Sequence, residues 1–313
     1  MHYSVMKETV IENLNIKDDG VYVDATLGYA GHSSEILKRI KKGYLFAFDV
    51  DSEGVRYSHQ VLSKIGDNFK IIHSNFSELE ECLNNENVTE VDGFLFDLGL
   101  SSPEIDDAKR GFSFMQDAML DMRMNQNEGV TAKDIVNNYS KDDLTNIFFK
   151  YGEEKRSKEI ANGIIKYREN KSIERTLELV EIIKSSVGAN YFYKFHPERE
   201  IFQAIRIEVN NELASIEKAL PAAIKKLKKG GRICVITFHS LEDRIVKNIF
   251  KKYSETNEIF SGLPINEVPV EYRPLIKLIN KKPIIASEEE LSANSRSKSA
   301  KLRVIERIWL YAN

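Results

Sequence analysis

A mostly parallel α/β sheet with an all-helical domain inserted into it is the fold this chain's pattern predicts, on three observations. Short apolar runs bounded by turn residues recur through the first hundred positions. Amphipathic stretches of helical period separate them. One interval between two such runs, residues 98–231, is far longer than a crossover helix needs and has no strand pattern in its middle.

The apolar runs are VYVDA (21–25), YLFAFD (44–49), FKIIH (69–73), GFLFD (93–97) and RICVITF (232–238). Strands that alternate with helices pair in parallel and are covered on both faces. In SSEILKRIKKG, Ile36, Leu37 and Ile40 mark one helical face, and Gly43 ends the helix. The segments KDDLTNIFFKYGEEKRSKEIANGIIKYREN and ERTLELVEIIKSSVGAN read as helices and place an inserted domain at 126–190. The core domain is then discontinuous, 1–125 and 191–313. From Ile201 to Leu220, apolar residues at helical steps predict one continuous helix face. Pro221 is read as the start of a second helix, closed by the glycines before residue 232. KPIIAS (282–287) and AKLRVIERIWL (300–310) are expected to form a last, edge hairpin.

Bulk properties narrow the class. Of 313 residues, 42% are hydrophobic and 30% charged, as in ordinary soluble domains, and the length suggests about two of them. The N-terminal stretch lacks a signal peptide's apolar segment, and no run approaches the roughly 20 apolar residues of a membrane span. Cys82 and Cys234 show no metal-binding or redox spacing, so a reducing cytoplasm fits and no metal-ligand cluster is legible. The net charge of −3 gives no global signature for nucleic acid. Locally, residues 272–307 hold nine Lys/Arg against four Glu, either a solvated face or a patch that attracts a polyanion.

The loop VDATLGYAGHSSEIL (23–37) carries the chemistry. A strand ends in Asp24, then come Gly28, Gly31 and a helix, which is a glycine-lined turn at a helix N-terminus. Its D-x-T-x-G-x-x-G pattern is neither the dinucleotide fingerprint nor a P-loop. The second strand ends in Asp49, where an acid can accept both ribose hydroxyls of an adenosine. Phe76, after the third strand, is placed to lie on adenine, and Asp97 ends the fourth. Singly these are strand-end acids and a core aromatic. In this order they suit S-adenosylmethionine, which needs no pyrophosphate clamp.

The stretch FDLGLSSPEIDDAKRGFSFMQDAMLDMRM (96–124), with AGHS, FQAIRIEVNNEL and FHSLEDRIVK, resembles the bacterial 16S ribosomal RNA cytosine-N4 methyltransferase (MraW) family. The likeness runs in order from His2 to Arg307. It implies a class I, Rossmann-like S-adenosylmethionine-dependent methyltransferase with an inserted helical domain. The implied substrate is a cytosine in the decoding centre of 16S rRNA, methylated within the 30S ribosomal subunit. Cofactor contacts carried over by the motifs are Ala30, Gly31, His32, Asp49, Phe76, Asp97 and Glu104. Three positions depart from the family pattern. Ala30 stands where glycine is usual, Glu104 replaces the Gln of SSPQ, and Asn125 follows DMRM where Asp is commoner.

Cytosine's exocyclic amine is a weak nucleophile, so it must be aligned with the methyl group while acceptors hold its hydrogens. Ser101, Ser102, Asp106 and His239 are the candidates for that work, with the acid-Pro-Pro-aromatic loop of DNA amino-methyltransferases absent. Candidate RNA contacts are Arg110, Arg123, Arg296, Lys298 and Arg303, although Arg123 can equally pair with Asp121. Phe112 and Phe114 either stack on an extruded base or pack beneath the insertion. His196, before Pro197, reads as a structural cap. A DNA amino-methyltransferase and a non-catalytic RNA-binding assembly factor are the competing readings. Whether the chain forms a homodimer is not legible.

Overall fold

A computed structural model of the chain describes residues 4–308, apart from the Ser102 side chain. Strands β1 (Val21–Asp24), β2 (Tyr44–Asp49), β3 (Phe69–His73), β4 (Val91–Asp97), β5 (Leu227–Thr237), β6 (Ile276–Leu278), β7 (Ile284–Ile285) and β8 (Lys301–Arg307) make one sheet among the described residues. Its order is β3-β2-β1-β4-β5-β8-β6, with β7 also on β8. The first five strands are parallel, and β8 runs antiparallel to β5, β6 and β7.

From β1 the chain steps outward to β2 and β3, then returns to lay β4 on β1's other side. The reversal leaves a switch point outside the carboxyl ends of β1 and β4, where open α/β sheets take ligands. Asp24 and Asp97 are the last residues of those two strands.

Period-two alternation sends Val23, Phe46, Phe48, Phe94, Phe96 and Val235 into one core and Tyr22, Leu45, Ala47, Leu95, Cys234 and Ile236 into another. Both faces are buried, which is why these strands read as continuous apolar runs. Helices α1 (Lys7–Leu14), α2 (Gly31–Arg39) and α3 (Ser52–Leu62) cover the second face, and α4 (Leu79–Asn85) helps cover the first. Asp51 caps α3 by accepting the Glu53 amide at 3.1 Å. Cys82 and Cys234 are both free thiols.

The chain forms two compact units, and the helical one runs from Leu100 to Glu212. It comprises α5 (Ser102–Asp106), α6 (Ala132–Asn138), α7 (Lys141–Lys150), α8 (Ser157–Arg168), α9 (Thr176–Val187), α10 (Ala189–Phe195) and α11 (Pro197–Asn210). It is wider than 126–190 because residues on both sides are buried in its core: Phe112, Leu120 and Met122 before, Ile201, Phe202 and Ile205 after. The segment before α6 has little regular structure, so its membership could not be read from periodicity. It is tied in by backbone bonds, Met122 N to Arg110 O at 3.0 Å and Thr176 N to Ala118 O at 2.9 Å.

Two readings of the return path are corrected. The helix face expected from 201 to 220 breaks at Asn211, whose φ of 50° is left-handed; α12 (Glu212–Lys226) follows. Asparagine tolerates that conformation better than most residues. Pro221 does not open a helix; it lies inside α12, and the KKGG expected to close a helix already belongs to β5. Gly231 permits this, since a Cβ there would come within 2.8 Å of the Asp92 carbonyl of neighbouring β4. After β5, α13 (Ser240–Ser254) covers the first face through Val246 and Phe250.

The C-terminal hairpin is also corrected. The strand expected over 300–310 ends at Arg307 and lies inside the sheet between β5 and β6, with residues 309–310 outside the described ones. The outer strand β6 is three residues long, too short for a legible pattern.

Candidate active site

The site in the sheet unit is built on the loop from Asp24 to Ala30. Asp24 is buried, and its Oδ2 accepts from Ser33 Oγ at 2.7 Å while Oδ1 accepts the Thr26 amide at 3.1 Å. Burial pushes its carboxyl up to about 6 despite those bonds. Thr26 Oγ1 accepts the Asp97 amide at 2.7 Å, which links the ends of β1 and β4. Further on, Leu27 N donates to Phe48 O at 2.8 Å, and Ser58 Oγ donates to Gly28 O at 2.8 Å. Nearly every residue of the turn is therefore held by a neighbour.

Asp49 ends β2 and clamps this turn. Its Oδ2 accepts the Gly28 amide at 2.7 Å and its Oδ1 the Asp51 amide at 2.9 Å. Gly28 has φ 50°, a conformation suited to glycine. Ala30 has φ 63°, is fully buried and occupies the N-cap position of α2 without a capping side chain. The β-carbon that sequence places where glycine is usual is thus accommodated in left-handed backbone. At Gly31 a Cβ would overlap Ser4 Oγ.

His32, in the first turn of α2, is 5% exposed. Its Nε2 lies 3.1 Å from Val5 O and its Nδ1 3.6 Å from Asp97 Oδ2. Burial lowers its pKa to about 4, so the ring is neutral. Asp97 Oδ1 is buried with no hydrogen-bond partner. Burial, and then the neighbouring Asp24 and Glu242 carboxylates, holds Asp97 well above the usual carboxylate range. Phe76 opens a short 3-10 turn after β3, half-buried, edge-on to Phe96 at 5.8 Å.

His239 occupies the N-cap of α13. Its Nε2 lies 3.0 Å from Glu242 Oε1, but both ring nitrogens are buried without a hydrogen-bond partner. Glu242 is 1% exposed, and its Oε2 accepts the Phe238 and His239 amides at 2.8 and 3.3 Å. Asp243 is occupied by Arg303 and Lys301.

In the helical unit, Ser101 caps α5. Ser101 N and Oγ donate to Glu104 Oε2 at 2.8 and 2.7 Å, and Glu104 N donates back to Ser101 Oγ at 3.4 Å. A capping box accepts Glu or Gln alike, so the departure from SSPQ leaves this role intact. Glu104 is itself buried, with Oε1 3.6 Å from Arg110 Nη2. The Ser102 side chain lies outside the described residues. Asp106 is exposed at the end of α5.

Two of the proposed RNA contacts are corrected. Arg110 is 4% exposed and donates to the carbonyls of Arg123 and Met124 at 3.1 and 2.9 Å, fastening the segment before α6. Arg303 is 9% exposed and pairs bidentately with Asp243 at 2.7 and 3.2 Å. Neither guanidinium reaches a phosphate from where it is buried. Arg123 is paired with Asp121 at 3.0 and 2.8 Å, Arg296 is half-buried, and Lys298 is exposed. Phe112 is buried in the core of the helical unit, and Phe114, half-buried, packs against that core, edge-on to Phe202 at 5.8 Å. His196 sits at the N-cap of α11 with φ 51°, but its side chain meets Glu198 at 3.1 Å and does not cap.

Sequence reading missed Ser33, Thr26 and Ser58, small hydroxyls whose role appears only once the loop is folded. It also missed Tyr29, whose ring lies 5.0 Å from that of Tyr57. A hollow lined by Val21, Tyr44 and Val88 opens at the amino ends of β1 and β2, the edge away from this site.

The sequence matches the MraW methylase family over residues 1–308. Similar solved structures include an rRNA methylase from Streptococcus thermophilus, at 12% identity and TM-score 0.43 over 97% of this chain and 94% of that one. Another is a putative rRNA-methylase from Clostridium thermocellum, at 12% identity and TM-score 0.43 over 98% and 99%. A third is a putative methyltransferase from Streptococcus mutans in complex with SAH, at 12% identity and TM-score 0.44 over 98% and 100%.

Proposed function

Because the chain belongs to the MraW methylase family, the S-adenosylmethionine-dependent methyltransferases of a 16S rRNA cytosine-N4 amine, we propose that its cofactor binds at the switch point between β1 and β4. The observation that carries this reading is the buried, unpartnered Asp97 Oδ1 beside a glycine turn pinned at nearly every residue. The residues present fit the cofactor. An unsatisfied buried acceptor suits a cationic or N–H-bearing group, and the charge balance of the site favours a cation. Ala30, Gly31 and His32 line the turn, Asp49 would hold the ribose, and Phe76 would lie against adenine. No described helix is long and apolar enough to cross a membrane.

When bound, the cofactor supplies an electrophilic methyl group on a sulfonium leaving group. The chain's residues do the rest by alignment, which is worth up to roughly 7–11 kcal/mol in well-oriented systems. Ser101 Oγ spends its hydrogen on Glu104 Oε2, so toward the target amine it acts as an acceptor. With the adjacent backbone carbonyls, it is assigned to hold the amine hydrogens while positive charge grows on nitrogen. Asp106 and His239 are assigned to the base side. Glu104 acts through Ser101, as a positioning residue.

The helical unit is assigned to RNA recognition within the 30S subunit. Its Tyr193 and Phe195 are 62% and 54% exposed, with the Lys184 and Lys194 ammonium groups each 5.2 Å from one of these rings. Exposed rings flanked by cations suit unstacked bases and their phosphates. The test is mass spectrometry of small-subunit RNA after incubation with the protein and isotopically labelled S-adenosylmethionine. A labelled N4-methylcytosine at one decoding-centre position, on subunits and not on duplex DNA, is the expected result. Label on DNA adenine or cytosine, or none on subunits, overturns the substrate assignment.

A further inference from the structure

Resting on the placement of the cofactor at Asp97, we propose that His32 and Asp97 hold one proton between them in the cofactor-free protein, and that a cationic group of the methyl donor binds by displacing it. The starting point is geometric. His32 Nε2 lies 3.1 Å from the Val5 carbonyl, an oxygen that only accepts, so Nε2 carries the ring's hydrogen. The other nitrogen, Nδ1, is then an acceptor, and it faces Asp97 Oδ2 at 3.6 Å. His32 is buried and Asp97 half-buried, its side chain 24% exposed, so two acceptors facing each other there are poorly screened and repel unless a proton lies between them.

The surroundings favour that proton and disfavour its loss. Asp24 from β1 and Glu242 from α13 both press negative charge on Asp97, and Asp97 Oδ1 has no donor to share its load. Facing His32, Lys7 from α1 discourages an imidazolium. The proton therefore resides chiefly on Asp97, with His32 Nδ1 as its acceptor.

When a cation arrives at Asp97, the Asp97 O–H bond breaks and the proton passes to solvent. The carboxylate pairs with the cation, and His32 stays neutral throughout. One positive charge enters as another leaves, so the buried acids gain no net charge. His32 is a positioning residue here: it holds the free carboxyl in the protonated, ligand-ready orientation. Two cofactor groups share the required chemistry, the α-ammonium and the sulfonium.

The experiment is isothermal titration calorimetry of the full chain at about pH 6.5, below the ordinary amine range, in buffers of different ionisation enthalpy. Ligands are S-adenosylmethionine, its demethylated product S-adenosylhomocysteine, and 5′-methylthioadenosine, which has neither cation. We expect close to one proton released per S-adenosylmethionine bound and none for methylthioadenosine. Release with S-adenosylhomocysteine as well identifies the ammonium as the displacing group, and its absence there identifies the sulfonium. Affinity for S-adenosylmethionine should rise about tenfold per pH unit while Asp97 is protonated in the free protein, then level off. Asp97→Asn should bind with no proton release; if that variant does not fold, the wild-type proton count and pH slope decide. Tight binding with no proton release and a flat pH response overturns the inference. A folded protein that binds no S-adenosylmethionine at any pH instead overturns the cofactor placement on which it rests.

Discussion

The Gly28 amide donates to Asp49 Oδ2 at 2.7 Å, so the strand-end acid assigned to a ribose also holds the glycine turn in shape. Its other oxygen accepts the Asp51 amide, at the residue that caps α3. One carboxylate thus couples the first loop to the second. Asp49→Asn keeps one acceptor and turns the other into a donor facing an N–H. One amide loses its partner, at a cost of about 1–3 kcal/mol. We expect a lower melting temperature together with at least a tenfold loss of S-adenosylmethionine affinity by calorimetry. An unchanged melting temperature would show that the clamp contributes nothing.

Ala30 gives a prediction of opposite sign. Its left-handed backbone costs an L-residue roughly 1–2 kcal/mol, which glycine does not incur. Glycine in turn gives the unfolded chain more freedom, worth about 0.4–1 kcal/mol. Ala30→Gly should therefore stabilise the fold slightly, by up to about 1 kcal/mol in chemical denaturation. Ala30→Val, β-branched and fully buried at the same φ, should be strongly destabilising. A destabilised glycine variant would mean that the β-carbon's packing outweighs the backbone strain.

These two positions also show what was legible in the sequence. Strand-end acids and glycines are fixed by local pattern, and Asp24, Asp49 and Asp97 stand at the strand ends where the pattern placed them. The covering of both sheet faces followed from unbroken apolar runs. What could not be read depends on contacts distant in sequence. Arg303 looks like a free cation in a basic stretch until β8 is set beside α13 and Asp243. The width of the helical unit was hidden because Phe112, Leu120 and Met122 lie in irregular backbone without periodicity. Glu104 read as a ligand contact because nothing local signalled its capping partner except the Ser-x-x-Glu spacing itself.

Asp24 sets a pH dependence. Its folded pKa of about 6 lies above the ordinary 3.8, so the native state favours the protonated form. Its ionisation costs the folded protein nothing below the unfolded pKa. The penalty grows as pH rises between those two values and is complete above about 6, on the order of 3 kcal/mol. Asp24→Asn removes the ionisation. Denaturation of both proteins across that interval should show the wild type losing stability relative to the variant as pH rises. A constant difference between them would mean that Asp24 does not titrate in this range.

Arg303 and Lys298 should separate cleanly. Truncating Arg303 leaves Asp243 without its bidentate partner in a mostly buried position, costing about 2 kcal/mol or more of stability. Lys298 is exposed in the basic stretch, so its removal should leave stability unchanged. If that stretch meets rRNA phosphate, Lys298→Ala should lower the slope of log affinity against log salt by about one. Filter binding to 30S subunits at several salt concentrations reads the slope, and chemical denaturation reads stability. The reverse pattern would restore Arg303 as an RNA contact.

Tyr193 and Phe195 test the helical unit. Both rings are largely exposed, and Phe195 packs against Tyr191 at 4.6 Å, which holds it on α10 rather than letting it fold inward. Arg156 lies over the Tyr191 ring at 4.2 Å, so the cluster is braced from beneath by a cation. A base stacked on such a platform is worth about 1–3 kcal/mol. Tyr193→Ala combined with Phe195→Ala should weaken 30S binding by about tenfold or more while leaving S-adenosylmethionine affinity and melting temperature near wild type. The two rings meet solvent, so their loss removes little buried apolar area, and a stability change would signal a packing role instead. Unaltered affinity for 30S subunits, with the protein folded and able to bind cofactor, would take RNA recognition away from this surface.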